Sequence, residues 1–143
     1  MPQLNLEIFT PDKLSYSGEI KAIIVPGAVG AFQVLYNHAP LISTLEIGAI
    51  KVEVTDDKTI YFATGGGTIE VLNNKVKILA DSLESISEIN IERAKNAIAR
   101  AQERIERKHI EKIDVPRAET ALARANNRIR VYEKYFEYMS PSK

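Results

Sequence analysis

The chain has 143 residues, 45% of them hydrophobic, and its 19 basic and 19 acidic residues give a formal net charge of zero. This size and composition are typical of one compact domain, or of a small domain with an appendage, and exclude a large multidomain enzyme. No apolar run approaches the roughly 18 residues of a membrane span and no charged leader precedes an apolar core, so we expect neither a membrane anchor nor export. With no cysteine and two distant histidines, His38 and His109, disulfides, thiolate nucleophiles and cysteine-based zinc sites are excluded.

The zero net charge hides a difference between two parts of the chain. Residues 1–86 carry six lysines and ten acidic residues, a net charge of −4, whereas residues 87–143 carry thirteen basic and nine acidic residues, a net charge of +4. Every arginine, from Arg93 to Arg130, lies in the second part. We therefore predict two domains, 1–86 and 87–143, the second of which either faces an acidic partner or presents a solvated helical surface.

The first part has the pattern of short strands separated by turns. Alternation in residues 4–8 and 49–54 and the β-branched run 20–25 each predict a strand. Turn-forming sequences lie at residues 10–12, 17–18, 26–27, 56–57 and 73–74, of which the last two predict hairpin connections. We predict an antiparallel β-sandwich of roughly eight to ten short strands.

Residues 25–41 combine turn chemistry, a short strand and an apolar loop. Pro26-Gly27 and Gly30 are turn formers, and residues 36–41 place aromatic and aliphatic surface beside His38. Two interpretations of His38 stay open: an exposed loop imidazole, or part of a contact surface, since a rigid proline-containing loop loses little entropy on binding. The segment predicts a docking surface.

After Ser87 the apolar spacing becomes that of two amphipathic helices. The apolar residues recur at three- and four-residue steps, as Ala94, Ala97, Ile98, Ala101 and Ile105, then Ala118, Ala121, Leu122, Ala125, Ile129 and Tyr132. Asn90 is the predicted N-cap of the first helix and Asp114 that of the second, and the connection from His109 to Val115 predicts an antiparallel hairpin. Because facing alanines bury little area, we expect a bistable hairpin, folded on the sandwich or extended as an arm.

No residues form a recognisable catalytic or metal site. Gly65-Gly66-Gly67 neither precedes a helix nor carries the Lys-Ser/Thr of a phosphate loop, so it predicts a sheet bend or a close backbone approach. The acidic residues are scattered, with no close pair for acid/base work. We expect a protein without an active site.

The arginines form a candidate anion site. Arg124 and Arg128 are four residues apart on one helical face, and Arg93 begins the preceding helix, so a folded hairpin would bring them together around a phosphate. The alternative is a solvated basic face. A nucleic-acid interface is less favoured, because the second part is only +4 and its aromatic residues gather at the C-terminal end.

Motifs along nearly the whole chain resemble the epsilon subunit of bacterial and chloroplast F-type ATP synthase. They are, in order, Pro26-Gly27, Gly30, Phe32, His38-Ala39-Pro40-Leu41, Gly48, Gly66-Gly67, Glu70-Val71 and Ala80-Asp81, followed by the hairpin. The resemblance implies a non-catalytic central-stalk rotor subunit that couples proton translocation to ATP synthesis. It also implies a sandwich that binds the gamma subunit and the c-subunit ring, and a hairpin that reaches the alpha/beta hexamer and slows ATP hydrolysis.

The resemblance also implies two sets of site residues. The partner-binding set is Pro26, Gly27, Gly30, Phe32, His38, Ala39, Pro40 and Leu41. In some bacterial members ATP binds the folded hairpin through an Ile-Asp-x-x-Arg-Ala motif and two arginines four residues apart. The matching residues here are Asn90, Arg93, Ala94, Arg124 and Arg128, and Glu84 is a further candidate contact. Asn90 stands in place of the aspartate of that motif, which keeps the helix cap but removes a carboxylate and weakens the expectation of nucleotide binding.

As part of F1, such a subunit is expected on the cytoplasmic face of the bacterial inner membrane, or on the stromal face of the thylakoid, with only indirect membrane contact. It needs no cofactor, although ATP is an expected regulatory ligand. The alternative is a free-standing nucleotide-sensing module that binds ATP in the hairpin, for which the isolated chain would bind ATP tightly. A nucleic-acid binder would instead show steeply salt-dependent association.

Overall fold

The computed structural model describes residues 2–107 and 115–139. Eight strands come first: β1 (Leu4–Phe9), β2 (Leu14–Ile20), β3 (Ala22–Gly27), β4 (Gly30–Val34), β5 (Leu41–Thr55), β6 (Lys58–Leu72), β7 (Lys75–Ala80) and β8 (Leu83–Ser85). A 3₁₀ turn, Ile86–Glu88, then leads to helices α1 (Ile91–Glu106) and α2 (Val115–Met139). The predicted sandwich followed by two helices is confirmed.

The strands form because their apolar residues alternate toward one core. In β1 the buried residues are Leu4, Leu6 and Ile8, and in β7 every second residue is buried. Side chains from seven strands complete this core, among them Ile20, Ile23, Val25, Val34, Ile50, Val52, Ile69 and Val71. Burial of aliphatic side chains is the main stabilising contribution, at about 1.5–3 kcal/mol for each.

The longest feature of the sheet is the hairpin of β5 and β6, which turns at Asp56-Asp57 as predicted. Strand β6 changes partner along its length, since residues 62–64 pair with β8 and residues 67–72 pair with β7. The change falls on the glycine triplet, where Gly66 and Gly67 have φ angles of 100° and 148°. A Cβ on Gly67 would lie 2.0 Å from the carbonyl oxygen of Leu79. The predicted close backbone approach is confirmed.

The turn prediction at Asn73-Asn74 is also confirmed. Both residues have positive φ angles, 51° and 62°, which suits the two-residue hairpin turn between β6 and β7. Asparagine tolerates this conformation better than most residues, because its short side chain hydrogen-bonds locally.

Several local predictions were wrong because long-range pairing overrides turn propensity. Ser17-Gly18 lies inside β2, where it pairs with β1, and Pro26-Gly27 ends β3 instead of forming the turn, which falls on Ala28-Val29. The run 20–25 is divided at Lys21, and Leu41 begins β5 instead of ending a loop.

One pair of strands departs from the antiparallel prediction. Strand β1 pairs with β7 in parallel, residues 5–9 opposite residues 75–79, and every other pairing is antiparallel among the strands of the described residues. No local signal in the sequence announces a pairing between segments so far apart.

The helices fold back on the sandwich. Helix α1 packs along α2, burying Ala94, Ala101, Ala118 and Ala125, while α2 also packs on β5 and β6. Ala121, which the periodicity placed on the apolar face, is exposed. The predicted cap Asp114 and the connection from His109 lie outside the described residues. The independence of 1–86 and 87–143 as domains stays a prediction.

Candidate functional site

Asn90 caps the helix that forms one wall of the candidate anion site. It has extended backbone angles, and its side-chain oxygen accepts a hydrogen bond of 3.0 Å from the backbone N–H of Arg93. Glu92 adds a negative charge in the first turn, where the helix dipole favours one. The predicted cap is confirmed, and it holds the backbone of Arg93 in the first turn of the helix.

A cleft of about 240 Å³ lies between this helix end, β8 and α2. Its lining residues are Glu84, Glu88, Asn90, Arg93, Ala94, Ala97, Arg100 and Arg128. The folded hairpin therefore brings together five of the six residues predicted for ATP. Ligand pockets for drug-sized molecules are usually about 300–1,000 Å³, so this cleft suits the phosphate part of a nucleotide better than a whole one.

The carboxylates of the cleft already have partners. Glu84 accepts a hydrogen bond of 2.6 Å from Nε of Arg128, and both side chains are about one-third exposed. Glu88 accepts one of 3.0 Å from the backbone N–H of Ser85. Three arginines and two glutamates line the cleft, which gives it a net charge of +1. The arrangement favours an anion, and guanidinium groups suit phosphate oxygens in particular.

Arg124, the sixth predicted residue, lies in an adjoining space of about 40 Å³ that shares Glu84 and Arg128 with the cleft. Its side chain lies over Gly65, so closely that a Cβ there would be 2.9 Å from Nε of Arg124. That Nε is the only buried side-chain nitrogen or oxygen without a hydrogen-bond partner in the part of the chain that the structure describes. A buried donor without an acceptor costs about 1–3 kcal/mol.

Sequence reasoning missed three lining residues, Glu88, Ala97 and Arg100. The signal was available for two of them, because Arg93, Ala97 and Arg100 are spaced by four and three residues and so share one helical face. Glu88 belongs to the 3₁₀ turn, which has no periodic pattern to reveal it.

A second set of contacts, the α2 seam, joins α2 to the sandwich beside the cleft. Val131 packs in a cluster with Tyr61 and Ile86, and the rings of Tyr61 and Tyr135 stack with centroids 4.2 Å apart. Asn127 is buried among them and hydrogen-bonds to the sandwich backbone. Asn127 was not among the predicted site residues, although Asn127, Val131 and Tyr135 are spaced four residues apart and so share one face of the helix.

The structure divides the predicted partner-binding residues into two groups. Pro26, Gly27 and Gly30 lie near the β3–β4 turn, and residues 38–41 follow the other end of β4. A strand from Gly30 to Val34 separates the groups by roughly 13 Å. Gly27 is buried and Phe32 packs on the core. These two residues therefore support the surface from below and offer little of their own area to a partner.

Exposed apolar side chains accompany each group. Val29 is fully exposed at the tip of the β3–β4 hairpin. Around the loop that contains His38, the exposed side chains are Leu35, Tyr36, Ile42 and Leu72. Nδ1 of His38 lies 2.7 Å from the carbonyl oxygen of Ala39, so its ring is held within its own loop.

Asn74 fastens this loop to the β6–β7 turn. Its Oδ1 accepts a hydrogen bond of 2.6 Å from the backbone N–H of Asn37, and its Nδ2 donates one of 3.2 Å to Oδ1 of Asn37. We predict that Asn74→Gly, which tolerates the positive φ, raises the hydrogen-exchange rate of the Asn37 amide about fivefold or more and costs about 1 kcal/mol of stability.

Asn73→Gly is the matched control, since Asn73 shares the turn and the positive φ, whereas the side-chain bonds to Asn37 come from Asn74. Amide exchange measured by NMR compares the two variants. Equal protection of Asn37 in both would show that its fastening does not depend on Asn74.

The sandwich and the helices each match a known family of protein domains. The family model described as ATP synthase, Delta/Epsilon chain, beta-sandwich domain matches residues 3–86, and the one described as ATP synthase, Delta/Epsilon chain, long alpha-helix domain matches residues 87–133. The chain belongs to the epsilon chains of ATP synthase. It is therefore a non-catalytic subunit of that complex, and the resemblance drawn from the sequence motifs is confirmed.

Curated relatives agree with this assignment. The ATP synthase epsilon chain of Salinibacter ruber is 41% identical over 112 residues, covering 73% of this chain and 75% of that protein. The ATP synthase epsilon chain of Brevibacillus brevis is 38% identical over 111 residues, covering 78% and 84%. That of Desulforamulus reducens is 43% identical over 106 residues, covering 74% and 80%.

Two solved structures share the fold. A chain of the Euglena gracilis mitochondrial ATP synthase, in a cryo-EM structure of OSCP, F1 and the c-ring, matches with a TM-score of 0.66 at 18% identity, covering 98% of this chain and 83% of that one. A chain of the Tetrahymena thermophila mitochondrial ATP synthase central stalk and c-ring matches with a TM-score of 0.56 at 17% identity, covering 92% and 94%. Neither α1 nor α2, over the residues described, is long and apolar enough to cross a bilayer.

Proposed function

We propose that this epsilon chain is a central-stalk rotor subunit that helps couple proton translocation to ATP synthesis and restrains ATP hydrolysis through its C-terminal helices. The observation that carries the restraining role is the way the helices dock. Among the described residues, the contacts of helix α2 with the sandwich include a small apolar cluster, the Arg128–Glu84 ion pair and the buried Asn127 amide. The helices can leave such a limited interface. A partner that stabilises the undocked arm by a few kcal/mol shifts the equilibrium between the docked and undocked states.

The partners we propose are the gamma subunit, the c-subunit ring and the alpha/beta hexamer. Two separate apolar patches, one at the β3–β4 tip and one around the His38 loop, suit two different neighbours on the sandwich. The hairpin would meet acidic segments of the hexamer through its arginines. The proposed location is the membrane-facing side of F1, on the cytoplasmic face of a bacterial membrane or the stromal face of a thylakoid.

Binding to gamma tests the rotor assignment. The isolated chain should form a stable complex with a gamma subunit of a close relative, measured by calorimetry, whether or not ATP is present. Failure to bind any gamma subunit would contradict the assignment. Asn74→Gly, which loosens the patch around the His38 loop, should weaken this complex if that patch is the contact.

We further propose that ATP is a regulatory ligand of the cleft and stabilises the docked hairpin. The support is the meeting of five predicted residues in one cleft, the net charge of +1 and the unpaired Nε of Arg124 beside it. Asn90 removes a carboxylate acceptor, which weakens the expectation of nucleotide binding, but it also keeps the net charge of the cleft at +1, where an aspartate would make it zero. A free-standing nucleotide sensor would need the same site, but the family of this chain favours a subunit of the complex.

Removing both arginines should abolish the effect of ATP on the hairpin. Each guanidinium contributes charge-assisted hydrogen bonds worth about 1.5–3 kcal/mol, so Arg124→Ala with Arg128→Ala should lower ATP affinity about 100-fold or more. Calorimetric titration of the isolated chain, with ADP as the competing ligand, measures this.

Arg130→Ala is the matched control, because Arg130 lies on the same helix, is exposed and lines a different cleft. It should leave ATP binding unchanged. An unchanged titration of the double variant would rule out these arginines as the site. No ATP binding by the wild-type chain would leave a rotor subunit whose arm responds to its partners alone, and would exclude the nucleotide sensor.

A further inference from the structure

Asn127 makes a deeply buried polar contact between the helices and the sandwich. Its side chain is 3% exposed, and its Nδ2 donates to the carbonyl oxygens of Gly48, at 2.9 Å, and Thr64, at 3.3 Å. Gly48 and Thr64 stand directly opposite each other in the β5–β6 pair. A single amide group from α2 thus joins both strands of the long hairpin.

The acceptors of this contact are held by the sandwich itself. The hydroxyl of Thr64 lies 3.1 Å from the carbonyl oxygen of Ser82, to which it donates, and 3.2 Å from the backbone N–H of Gly66, from which it accepts. Thr64 is buried and lies just before the point where β6 changes partner. Thr64 is therefore held in place by the sandwich, and its carbonyl forms, together with that of Gly48, the seat for the Asn127 amide.

The position of Asn127 on α2 couples this seat to the cleft. Arg124 and Arg128 lie within one helical turn of it, and the three side chains line the same space with Ser82 and Glu84. Sliding α2 by one turn would bury the amide or the carbonyls without partners, at a cost that the rest of the small interface does not offset. Any shift of α2 that moves Asn127 away from the two carbonyls would therefore also move Arg124 and Arg128.

We propose that Asn127 is the latch that sets the docking position of α2 and holds the helical hairpin on the sandwich. It is a positioning residue for Arg124 and Arg128 and needs no contact with a ligand. The latch is a property of the isolated chain. Only its consequence in the enzyme complex rests on the proposed restraining role of the hairpin.

Three variants of the full chain test the latch by hydrogen-exchange mass spectrometry. Asn127→Asp keeps the size of the side chain but offers no donor, and its carboxylate faces two carbonyl oxygens. We expect the α2 amides to exchange about tenfold faster or more, while β1 and β7 keep their protection. Asn127→Leu should have a smaller effect of the same sign, because it keeps the volume of the side chain and removes the donor without adding a repulsive charge.

Asn126→Asp is the matched control, since the neighbouring Asn126 is exposed and undergoes the same change of charge. It should leave α2 protection at the wild-type level. If Asn127 only filled space, Asn127→Leu, which keeps the volume without the donor, would retain wild-type protection of α2, and that result would overturn the proposal. Unchanged protection in Asn127→Asp would overturn it as well, and so would loss of protection in β1 and β7.

ATP hydrolysis by the reconstituted complex separates the latch from the proposed function. Faster α2 exchange in Asn127→Asp together with stronger restraint of hydrolysis supports both. Faster exchange with unchanged hydrolysis supports the latch and contradicts the restraining role of the hairpin. Unchanged exchange with altered hydrolysis overturns the latch, whatever the hairpin does in the complex.

Discussion

Replacing Gly67 by alanine is expected to lower the melting temperature of the protein by about 10 °C or more. The residue has a φ of 148°, and a Cβ there would lie 2.0 Å from the carbonyl oxygen of Leu79 and 2.9 Å from Cα of Ala80. Both contacts are with backbone, so no side-chain rotation relieves them. The combined strain and clash should cost about 3 kcal/mol or more, measured by thermal and urea unfolding.

Gly30→Ala is a control matched in backbone conformation. Gly30 has a φ of 136°, yet nothing lies within 4 Å of the position of its missing Cβ. Its replacement should therefore cost only the backbone strain, about 1–2 kcal/mol. If the two variants lose equal stability, the close approach of β6 to β7 at Gly67 is not what requires a glycine there.

Removing residues 87–143 is expected to leave a folded sandwich that still binds the gamma subunit but no longer restrains ATP hydrolysis. The core of sixteen buried residues lies wholly within the strands, so it does not depend on the helices. The apolar surface newly exposed comprises Tyr61, Ala63 and Ile86, which should lower stability modestly. Hydrolysis by the reconstituted complex should rise about fivefold or more, the lower end of common allosteric couplings.

Circular dichroism of the shortened chain checks its fold, and calorimetry checks gamma binding. A shortened chain that is folded but no longer binds gamma would show that the helices belong to the docking surface. Normal binding with an unchanged rate of hydrolysis would contradict the restraining role directly. The domain boundary after Ile86 is tested in the same experiment.

Residue type and spacing predicted the parts of the fold that short-range interactions determine. The turns at Asp56-Asp57 and Asn73-Asn74, the cap at Asn90 and the close approach at Gly67 were all readable from residue type and position. The full length of β5 and β6 was not, because tertiary pairing extends both strands through segments that carry no clear alternation. The parallel pairing of β1 with β7 had no local signal at all.

Helical spacing and the family resemblance predicted most residues of the candidate site, but not how they meet. The meeting of Glu84 with Arg128 depends on how the helices dock on β8, which the sequence does not encode locally. Asn127 shows the limit most clearly. An asparagine on a helix is usually solvent-exposed, as Asn126 is, and the role of Asn127 emerges only when two backbone carbonyls of the sandwich are seen beside it.

The parallel pairing of β1 with β7 also bears on how the chain is made. A ribosome delivers β1 and β2 first, yet the strand that lies beside β1 in the sheet ends at Ala80. One edge of β1 therefore has no partner until about the first eighty residues have emerged. Folding is expected to be slow for so small a domain. The helices emerge last, when the seat for Asn127 has already formed.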